Sequence, residues 1–348
     1  MNILIVKLSA IGDVVHTLPS LAALRNHYPA AHITWVIEEA AADLIEGHPH
    51  LDRVLVSRRK AWIREIRGGR NISAVFREIS SFVSTLRDRH YDLVIDFHGL
   101  FKSALVVLLS GGPRKLGYDS MQELSGLFLN EKIHEDMEKH AVDRYLDLLR
   151  HLGTDTKEPA FLIPVEEENR LRVDHLLSAA GIDGTTPFIA VNPVAYWKTK
   201  LWGDERFALL CDALIEELDT RIILTGGPGD PSLPHIEGLM KHPCINLAGK
   251  TTLRDLACLY QRARLVVTTD SGPMHIAAAM GTPTVALFGP TNPDRTGPYG
   301  AGHRVIRKPL PCSPCLRKEC DTMQCMKDIS VEEVLEVVKE VWKDRIQE

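Results

Sequence analysis

The stretch of the sequence most informative about chemistry is TTDSGPMHIAAAMGTPTVALFGPT, residues 268–291. Asp270, Ser271 and Gly272 follow an apolar run, and Pro273 suits a first helical turn because its missing N–H costs nothing there. Free N–H groups at a helix start can bind a phosphate, which small residues allow to approach. The negative carboxylate of Asp270 cannot attract phosphate. We therefore expect it to bind a hydroxyl, an N–H or a metal nearby. The alternative is a tight turn that only caps the helix.

Two other phosphate-binding patterns do not hold. GGPGD, at 226–230, lacks the spacing of the dinucleotide fingerprint. AGKTT, at 248–252, resembles the end of a P-loop, but Cys244 stands where the first glycine is needed. We therefore expect Thr251 or Thr252 simply to cap the following helix.

The elements that position these residues alternate between strand and helix in two similar halves. Strands are predicted in the first half at 2–8, 33–39, 53–56 and 92–97, and helices within 9–29 and at about 72–88, 99–109 and 138–152. The second half has predicted strands at 188–193, 221–226, 245–249 and 264–269, and helices at 204–218 and 252–263. Residues 154–186 are predicted to be a linker, and a capping box from Ser330 to Glu333 begins a last helix. This order predicts an α/β protein with two doubly wound parallel sheets.

Composition restricts the function further. The 348 residues are 45% hydrophobic and 25% charged, as in ordinary globular proteins of about two domains. A net charge of −5 argues against a general polyanion binder, so no nucleic-acid partner is expected. No run approaches the roughly 20 apolar residues of a membrane span, and we expect a cytoplasmic protein. Seven cysteines in this length do not suggest a disulfide scaffold.

Four motifs occur in an order that resembles one enzyme family. They are KLSAIGDVVHTLPSL, NPVAYWKTKLWGDERFALL, TDSGPMHIAAAMGTPTVALFGPTNP, and CSPCLRKEC with CMKDISVEEV. Together they resemble the lipopolysaccharide heptosyltransferases of glycosyltransferase family 9, the first motif most closely the heptosyltransferase I branch. The resemblance implies a GT-B enzyme with two Rossmann-like domains facing across a cleft. It assigns residues 1–165 to acceptor binding, 166–328 to nucleotide-sugar binding, and 329–348 to a helix packing on the domains.

The reaction implied by the resemblance is an inverting transfer of heptose. The donor would be ADP-L-glycero-D-manno-heptose and the acceptor the Kdo-lipid A inner core of lipopolysaccharide. A lipid acceptor implies a protein that lies peripherally on the cytoplasmic face of the inner membrane, and we also expect a monomer. Because the sequence has no D-x-D motif, we expect no required cofactor and no bound metal, with Mg²⁺ at most stimulatory.

Asp13 matches the position of the catalytic base in this family. An inverting transfer needs a group that takes the acceptor hydroxyl proton as the anomeric carbon gains oxocarbenium character. The alternative is that Asp13 only caps the helix that follows. Lys7 is predicted to act on Asp13 or to contact the anionic acceptor, and its alternative is a strand-end lysine with its head in water.

The donor site is predicted around Lys200, which matches the family lysine at the diphosphate. Charge that develops on the leaving diphosphate needs a fixed positive partner, so Lys200 is counted with the catalytic residues. Thr199 beside it would donate a hydroxyl hydrogen bond. Four later residues also match donor-site positions: Asp270, Ser271, Gly272 and His275. His275 would contact a phosphate or be a polar core residue.

The acceptor is expected to meet a basic stretch at 57–70. This stretch has a single acid, Glu65, and its bases are Arg58, Arg59, Lys60, Arg64, Arg67 and Arg70. Guanidinium groups suit phosphate and carboxylate, so we predict acceptor contacts for Arg58, Arg59, Lys60 and Arg64. Trp62 and Ile63 would touch acyl chains or the membrane surface. His98 and Lys102 are further acceptor candidates, and the alternative for the whole stretch is a solvated charged face.

Cys312, Cys315, Cys320 and Cys325 have a spacing that can bind zinc or an iron–sulfur cluster. Structural thiols are the alternative, and the sequence leaves both open. Three other functions also stay open: a sugar-nucleotide epimerase of the same fold, a GT-B transferase with another nucleotide sugar, and a non-catalytic protein that binds anionic lipid. An epimerase would leave the stretch at 57–70 without a use, and a lipid binder would leave Lys200 and Asp270 without one.

Overall fold

Each half of the chain folds around a six-stranded parallel sheet. The computed structural model describes residues 1–69, 72–120 and 122–344, and the chain divides into a first unit, Met1–Pro164, and a second unit, Val165–Glu348. In the described residues, no helix has both the length and the apolar character needed to cross a bilayer.

The first unit has its strands in the order β3-β2-β1-β4-β5-β6. The strands are β1 (Asn2–Val6), β2 (His32–Glu38), β3 (Arg53–Ser57), β4 (Leu93–Asp96), β5 (Arg114–Tyr118) and β6 (Glu131–Ile133). The helices are α1 (Ile11–His27), α2 (Glu39–Ala42), α3 (Arg59–Arg67), α4 (Ile72–Arg87), α5 (Phe101–Ser110) and α6 (Ala141–His151), and a 3-10 turn spans Gln122–Phe128.

The second unit repeats this order as β12-β11-β10-β7-β8-β9. Its strands are β7 (Phe188–Asn192), β8 (Arg221–Leu224), β9 (Ile245–Asn246), β10 (Leu265–Thr269), β11 (Thr284–Phe288) and β12 (Arg304–Arg307). Its helices are α7 (Glu167–Ala179), α8 (Asp204–Leu218), α9 (Ser232–Leu239), α10 (Leu253–Arg262), α11 (Gly272–Ala279), α12 (Pro293–Thr296), α13 (Gln324–Lys327) and α14 (Val331–Asp344). A one-turn 3-10 helix spans Lys198–Lys200.

The central strands explain why the sequence forms these sheets. All residues of β7, β10 and β11 are buried, as expected for parallel strands that helices cover on both faces. In both units the strand order reverses beside the first strand, between β1 and β4 and between β7 and β10. Ligands of such folds bind beyond the carboxyl ends of the strands at this reversal. The predicted α/β class with two doubly wound sheets is confirmed.

The last helix forms as its sequence predicts. Its first turn is capped by Ser330, whose Oγ accepts a hydrogen bond from the backbone N–H of Glu333 at 3.2 Å. The apolar stripe is buried at Val334, Val338 and Val341, and α14 packs against α8 within the second unit. Burial of this stripe, rather than helix propensity, holds α14 in place.

The predicted linker at 154–186 is wrong in part, because it contains α7. Two polar residues of α7 are bound to a partner distant in sequence instead of facing only water. Asn169 Nδ2 donates to Asp255 Oδ1 at 2.8 Å, and Arg172 Nη2 donates to the same oxygen at 3.0 Å. These bonds attach α7 to α10, whose N-cap is Thr252. The short strands β5 and β6 were also not predicted, since RKLGY and EKI carry too many charges to resemble buried strands.

We predict that Asp255→Ala lowers the free energy of unfolding by about 2 to 3 kcal/mol, since hydrogen bonds to a buried charged group are lost. Although burial acts in the opposite direction, the hydrogen bonds from Arg172 and Asn169 lower the pKa of Asp255. The stabilisation should therefore be complete above the ordinary aspartate pKa of about 3.9 and disappear as the pH falls through the lowered value. Urea unfolding of parent and variant at neutral and acidic pH measures this. An equal difference at both pH values would contradict it.

Candidate functional site

Asp13 occupies the third position of α1, not its N-cap. The N-cap is Ala10, which has no side-chain acceptor, and Asp13 Oδ2 accepts a hydrogen bond from the backbone N–H of Ala10 at 3.2 Å. The Asp13 side chain is still 42% exposed. One oxygen of the carboxylate is thus restrained while the group as a whole stays accessible. The carboxylate can both stabilise the helix start and meet a ligand, so the two sequence interpretations do not exclude each other.

Lys7 lies beneath Asp13, at the end of β1. Its side chain is 3% exposed, and Nζ lies 3.9 Å from Asp13 Oδ2. Nζ donates to Phe97 O at 2.9 Å and to Tyr145 Oη at 2.6 Å. Burial lowers the pKa of Lys7, and the negative charges of Asp13 and Asp96 oppose that shift. The solvated alternative for Lys7 is therefore wrong. Of its two functional predictions, the structure favours an action on Asp13 over a direct contact with the acceptor.

Glu38, which the sequence analysis missed, organises the basic residues. Its side chain is 3% exposed, and Oε1 accepts from Arg59 Nε at 2.9 Å. Lys60 Nζ lies 3.6 Å from Oε2, and Lys102 Nζ lies 3.8 Å from Oε1 and donates to Ser9 Oγ at 2.7 Å. Three cations thus surround one carboxylate, which leaves an excess of positive charge. The available signal was the position of Glu38 at the carboxyl end of β2, next to β1.

Arg58 belongs to a different set of contacts. Its guanidinium donates to Glu39 Oε1 and to Glu78 Oε2, each at 2.9 Å. Trp62 Nε1 donates to the same Glu78 oxygen at 2.8 Å, and the Trp62 ring packs edge-on against Phe82. Trp62 is only 8% exposed, so the prediction that its ring touches acyl chains is wrong. The structure separates Arg58 from the Glu38 cluster.

The other residues of the basic stretch lie along α3. Ile63 and Arg64 are exposed on this helix, and so is Arg67. The predicted base Arg70 lies outside the described residues. A helical, exposed Arg64 is compatible with an acceptor contact and equally with the solvated alternative.

His98 follows β4 in a tight turn. Its backbone N–H donates to Asp96 Oδ1 at 2.9 Å, and the other oxygen of Asp96 accepts from Ser103 Oγ at 3.0 Å. Burial, together with the positive charges of Lys7 and Lys102, lowers the pKa of His98 to about 2. The imidazole is therefore neutral near pH 7. It can serve an acceptor as a hydrogen-bonding group but not as a cation.

In the second unit, the structure brings Lys200 and Asp270 together. Lys200 Nζ lies 2.6 Å from Asp270 Oδ2, and the side chains are 16% and 5% exposed. Thr291 Oγ1 donates to the same Asp270 oxygen. These contacts supply the polar partner that the sequence required for Asp270. The carboxylate orients the ammonium group, which stays partly accessible.

Thr199 does not offer its hydroxyl to a ligand. It is 2% exposed, and Oγ1 donates to the carbonyl of Arg317 at 2.7 Å. The predicted contact between Thr199 and a phosphate is therefore wrong. The hydroxyl instead binds the backbone of the cysteine-rich segment. That segment adds Lys318, which the sequence analysis missed. Lys318 Nζ lies 5.4 Å from the centre of the Trp197 ring, and Lys200 Nζ lies 4.7 Å from it.

The helix α11 starts as its sequence predicts. Ser271 is the N-cap in an extended conformation, and Gly272 is the first helical residue. Within the described residues the Ser271 side chain does not cap the helix, and Oγ donates to Asn192 Oδ1 at 3.4 Å. His275 is 7% exposed, which favours its polar-core alternative over a phosphate contact.

The four clustered cysteines are all free thiols. Burial raises the pKa of Cys325, while the exposed Cys320 accepts hydrogen bonds, first from Thr322, that lower its pKa. Across residues 1–69, 72–120 and 122–344, no three His, Cys, Asp or Glu side chains are arranged to hold a metal ion.

Comparison with known proteins identifies the family. The profile of glycosyltransferase family 9 (heptosyltransferase) matches residues 79–326. The chain is 30% identical to lipopolysaccharide heptosyltransferase 1 of Pseudomonas aeruginosa, over 92% of this chain and 87% of that protein. A family 9 glycosyltransferase from Veillonella parvula is 29% identical with a TM-score of 0.84, over 99% and 97% of the two chains.

The E. coli heptosyltransferase WaaC has been solved with two nucleotides. The structure with ADP is 25% identical with a TM-score of 0.78, over 98% of this chain and 100% of that one. The structure with ADP-2-deoxy-2-fluoro heptose is 26% identical with a TM-score of 0.73, over 98% and 99%. These relatives are transferases, so the epimerase alternative is set aside. The chain belongs to glycosyltransferase family 9, the heptosyltransferases, and is a glycosyltransferase of lipopolysaccharide core biosynthesis.

Proposed function

We propose that the chain transfers heptose, with inversion, from ADP-L-glycero-D-manno-heptose to the Kdo-lipid A inner core. The donor follows from ADP and the ADP-heptose analogue in the WaaC structures, and the acceptor from the name of the Pseudomonas aeruginosa relative. The observation that carries the proposal is Asp13: a partly exposed carboxylate, restrained by one backbone N–H, above a buried lysine.

Asp13 acts in this proposal as the general base. Its carboxylate takes the proton of the acceptor hydroxyl while that oxygen attacks the anomeric carbon of heptose. The bond between this carbon and the diphosphate oxygen breaks, and ADP leaves with the bonding electrons. Lys7 orients the carboxylate, and Lys200 stabilises the charge that develops on the diphosphate.

Binding of the acceptor is assigned to the Glu38 cluster. Arg59, Lys60 and Lys102 combine an excess of positive charge with a fixed arrangement, which suits a phosphorylated and carboxylated glycolipid. The lipid acceptor leads us to place the protein peripherally at the cytoplasmic face of the inner membrane, and we propose separately that it is a monomer. No metal is required in this proposal, and Mg²⁺ would at most stimulate.

Donor and acceptor specificity test the proposal directly. The protein is incubated with ADP-heptose, ADP-hexoses or UDP-hexoses, with and without Kdo-lipid A, and nucleotide release is followed by mass spectrometry. We expect ADP release only from ADP-heptose and only with the acceptor. Nucleotide release from a hexose donor but not from ADP-heptose would refute the assignment. Conversion of the donor sugar without acceptor would refute it as well. Addition of EDTA should leave turnover largely intact.

We predict that Asp13→Ala reduces turnover by about 100- to 10,000-fold, the usual contribution of general-base catalysis, without weakening ADP binding. Lys7→Met should remove the cation that lies 3.9 Å from Asp13 Oδ2 and should lower turnover while leaving ADP binding unchanged. Tyr145→Phe, which removes a hydrogen bond to Lys7 but no charge, is the matched control and should lower turnover less. Parental turnover in Lys7→Met would exclude the role of Lys7.

For the second unit, Lys200→Ala should weaken ADP binding by roughly 10- to 150-fold, because a charge-assisted hydrogen bond contributes about 1.5 to 3 kcal/mol. Calorimetric titration with ADP measures this. Lys198→Ala, two residues away, is the control and should bind ADP as the parent does. Equal ADP affinity and turnover in Lys200→Ala and the parent would place Lys200 outside the donor site.

The acceptor assignment predicts a difference between neighbouring arginines. Replacing Arg59 and Lys60 by Ala should raise the acceptor KM and leave ADP affinity alone, whereas Arg58→Ala, outside the Glu38 cluster, should have a smaller effect. The increase in KM should shrink at high salt, since exposed charges are screened over about 8 to 10 Å at 0.1 to 0.15 M ionic strength. Kinetics at two salt concentrations check both points. No difference in KM between parent and double variant at low salt would support the solvated alternative.

A further inference from the structure

The helices α3, α4 and α5 and the 3-10 turn form one continuous layer of the first unit. Each contacts the next: α3 with α4, α4 with α5, and α5 with the turn. We call this the α3–α5 layer. It exposes eight large apolar side chains, with exposures from 37% for Ile63 to 62% for Leu127. They are Ile63, Ile66, Ile72, Phe76, Phe101, Leu105, Leu108 and Leu127.

These side chains are concentrated, not scattered. Among the described residues of the first unit, Met1 is the one other large hydrophobic that is exposed. Single exposed apolar residues are normal on protein surfaces, but concentrated ones indicate an interaction site. The α3–α5 layer therefore needs a partner that accepts apolar side chains.

The helix α5 gives the clearest signal. Phe101, Leu105 and Leu108 recur at the spacing of one helical face, and all three are exposed. The opposite face, with Ser103, Val106 and Ser110, is buried against the sheet. A helix on a water-facing surface normally turns its charged side outward, whereas the outward stripe of α5 is apolar.

The charge of the layer identifies the partner. Residues 58–87 contain eight Arg or Lys and two Glu, although the whole chain carries a net charge of −5. Arg67 on α3 and Arg77 on α4 are both exposed. Apolar side chains among cations fit the boundary between acyl chains and anionic headgroups. A second copy of the chain fits poorly, because a symmetric contact would bring two such cationic faces together.

We propose that the α3–α5 layer docks on an anionic bilayer. Its apolar side chains reach the acyl boundary, and Arg67 and Arg77 lie at the headgroups. The inference rests on the proposed function in one respect: the lipid acceptor is drawn from the same membrane. Arg59 and Lys60 on α3 and Lys102 on α5 belong to this layer, so docking brings the predicted acceptor contacts to the lipid surface.

Binding to vesicles tests the docking surface without any need for activity. The probe is vesicles of equimolar phosphatidylcholine and phosphatidylglycerol, compared with phosphatidylcholine alone, in a co-sedimentation assay. The parent should bind the anionic vesicles preferentially and less strongly at high salt. The double variant Leu105→Ser/Leu108→Ser should bind at least about tenfold more weakly, since two half-exposed leucines lose their burial.

The matched control is Leu171→Ser/Leu209→Ser, with leucines of the second unit that are 59% and 54% exposed. It should bind vesicles as the parent does. If circular dichroism shows that the α5 variant is misfolded, Phe76→Ser with Arg77→Gln on α4 replaces it, and the same loss is expected. Equal binding by parent, layer variant and control, or no binding by the parent, would overturn the proposal. So would a concentration-dependent dimer of the parent that the layer variant loses.

Activity separates this inference from the proposed function. With an acceptor stripped of its acyl chains, Leu105→Ser/Leu108→Ser should transfer heptose at the parental rate, whereas with acceptor embedded in vesicles it should be slower. Vesicle binding by a parent that transfers no heptose would refute the proposed function and leave the docking surface standing. Heptose transfer by a parent that does not bind vesicles would refute the docking surface and leave the proposed function standing.

Discussion

The buried ammonium group of Lys7 is the contact on which the first unit's site depends. A charge in the interior is stable only when hydrogen bonds replace its lost water, and Lys7 obtains them from elements far apart in sequence. Nζ donates to Phe97 O, just beyond β4, and to Tyr145 Oη on α6, while the backbone carbonyl of Lys7 accepts from Trp35 Nε1 on β2. The end of β1 is thereby fixed to both neighbouring strands and to the helix beneath, where the strand order reverses. This arrangement also positions Asp13, which lies in the first turn of α1, six residues after Lys7.

In the second unit, neutral groups hold the strand ends together at the reversal of strand order. At the equivalent reversal, β7 pairs with β10 so that Asn192 lies opposite Thr268. Asn192 Nδ2 donates to Thr225 O at 2.9 Å, and Thr225 Oγ1 is bonded to Tyr260 Oη at 2.9 Å. The charged pair of Lys200 and Asp270 lies after the strands, nearer to solvent. The same strand order thus accompanies a buried cation in the first unit and a neutral hydrogen-bond network in the second. Strand order determines where a site forms but not its chemistry.

The sequence predicted the parts of the structure that depend on local patterns. Strands such as β10 are uniformly apolar, and α14 has both a cap and a stripe, so their existence and approximate bounds followed from neighbouring residues. The helix α7 was missed because its polar residues resemble a solvated linker until Asp255, 86 residues after Asn169, supplies their partner. Thr199 was misjudged for the same reason, since the acceptor of its hydroxyl is 118 residues away. The position of Asp13 was predictable from its motif, whereas the burial of Lys7 required the packing of α6.

A shared feature of the two units is an acid that holds ligand-facing cations before any ligand arrives. Glu38 does this for Arg59, Lys60 and Lys102, and Asp270 does it for Lys200. Burial lowers the pKa of Lys102, and the charge of Glu38 opposes that shift. Each acid attracts its lysine and restricts the rotamers of that side chain, but it also competes with an incoming phosphate for the same ammonium group. Such competition weakens binding of the ground state but leaves the cations fixed in place, and fixed charges stabilise a transition state better than mobile ones. The arrangement therefore suits an enzyme that must release a diphosphate after each transfer.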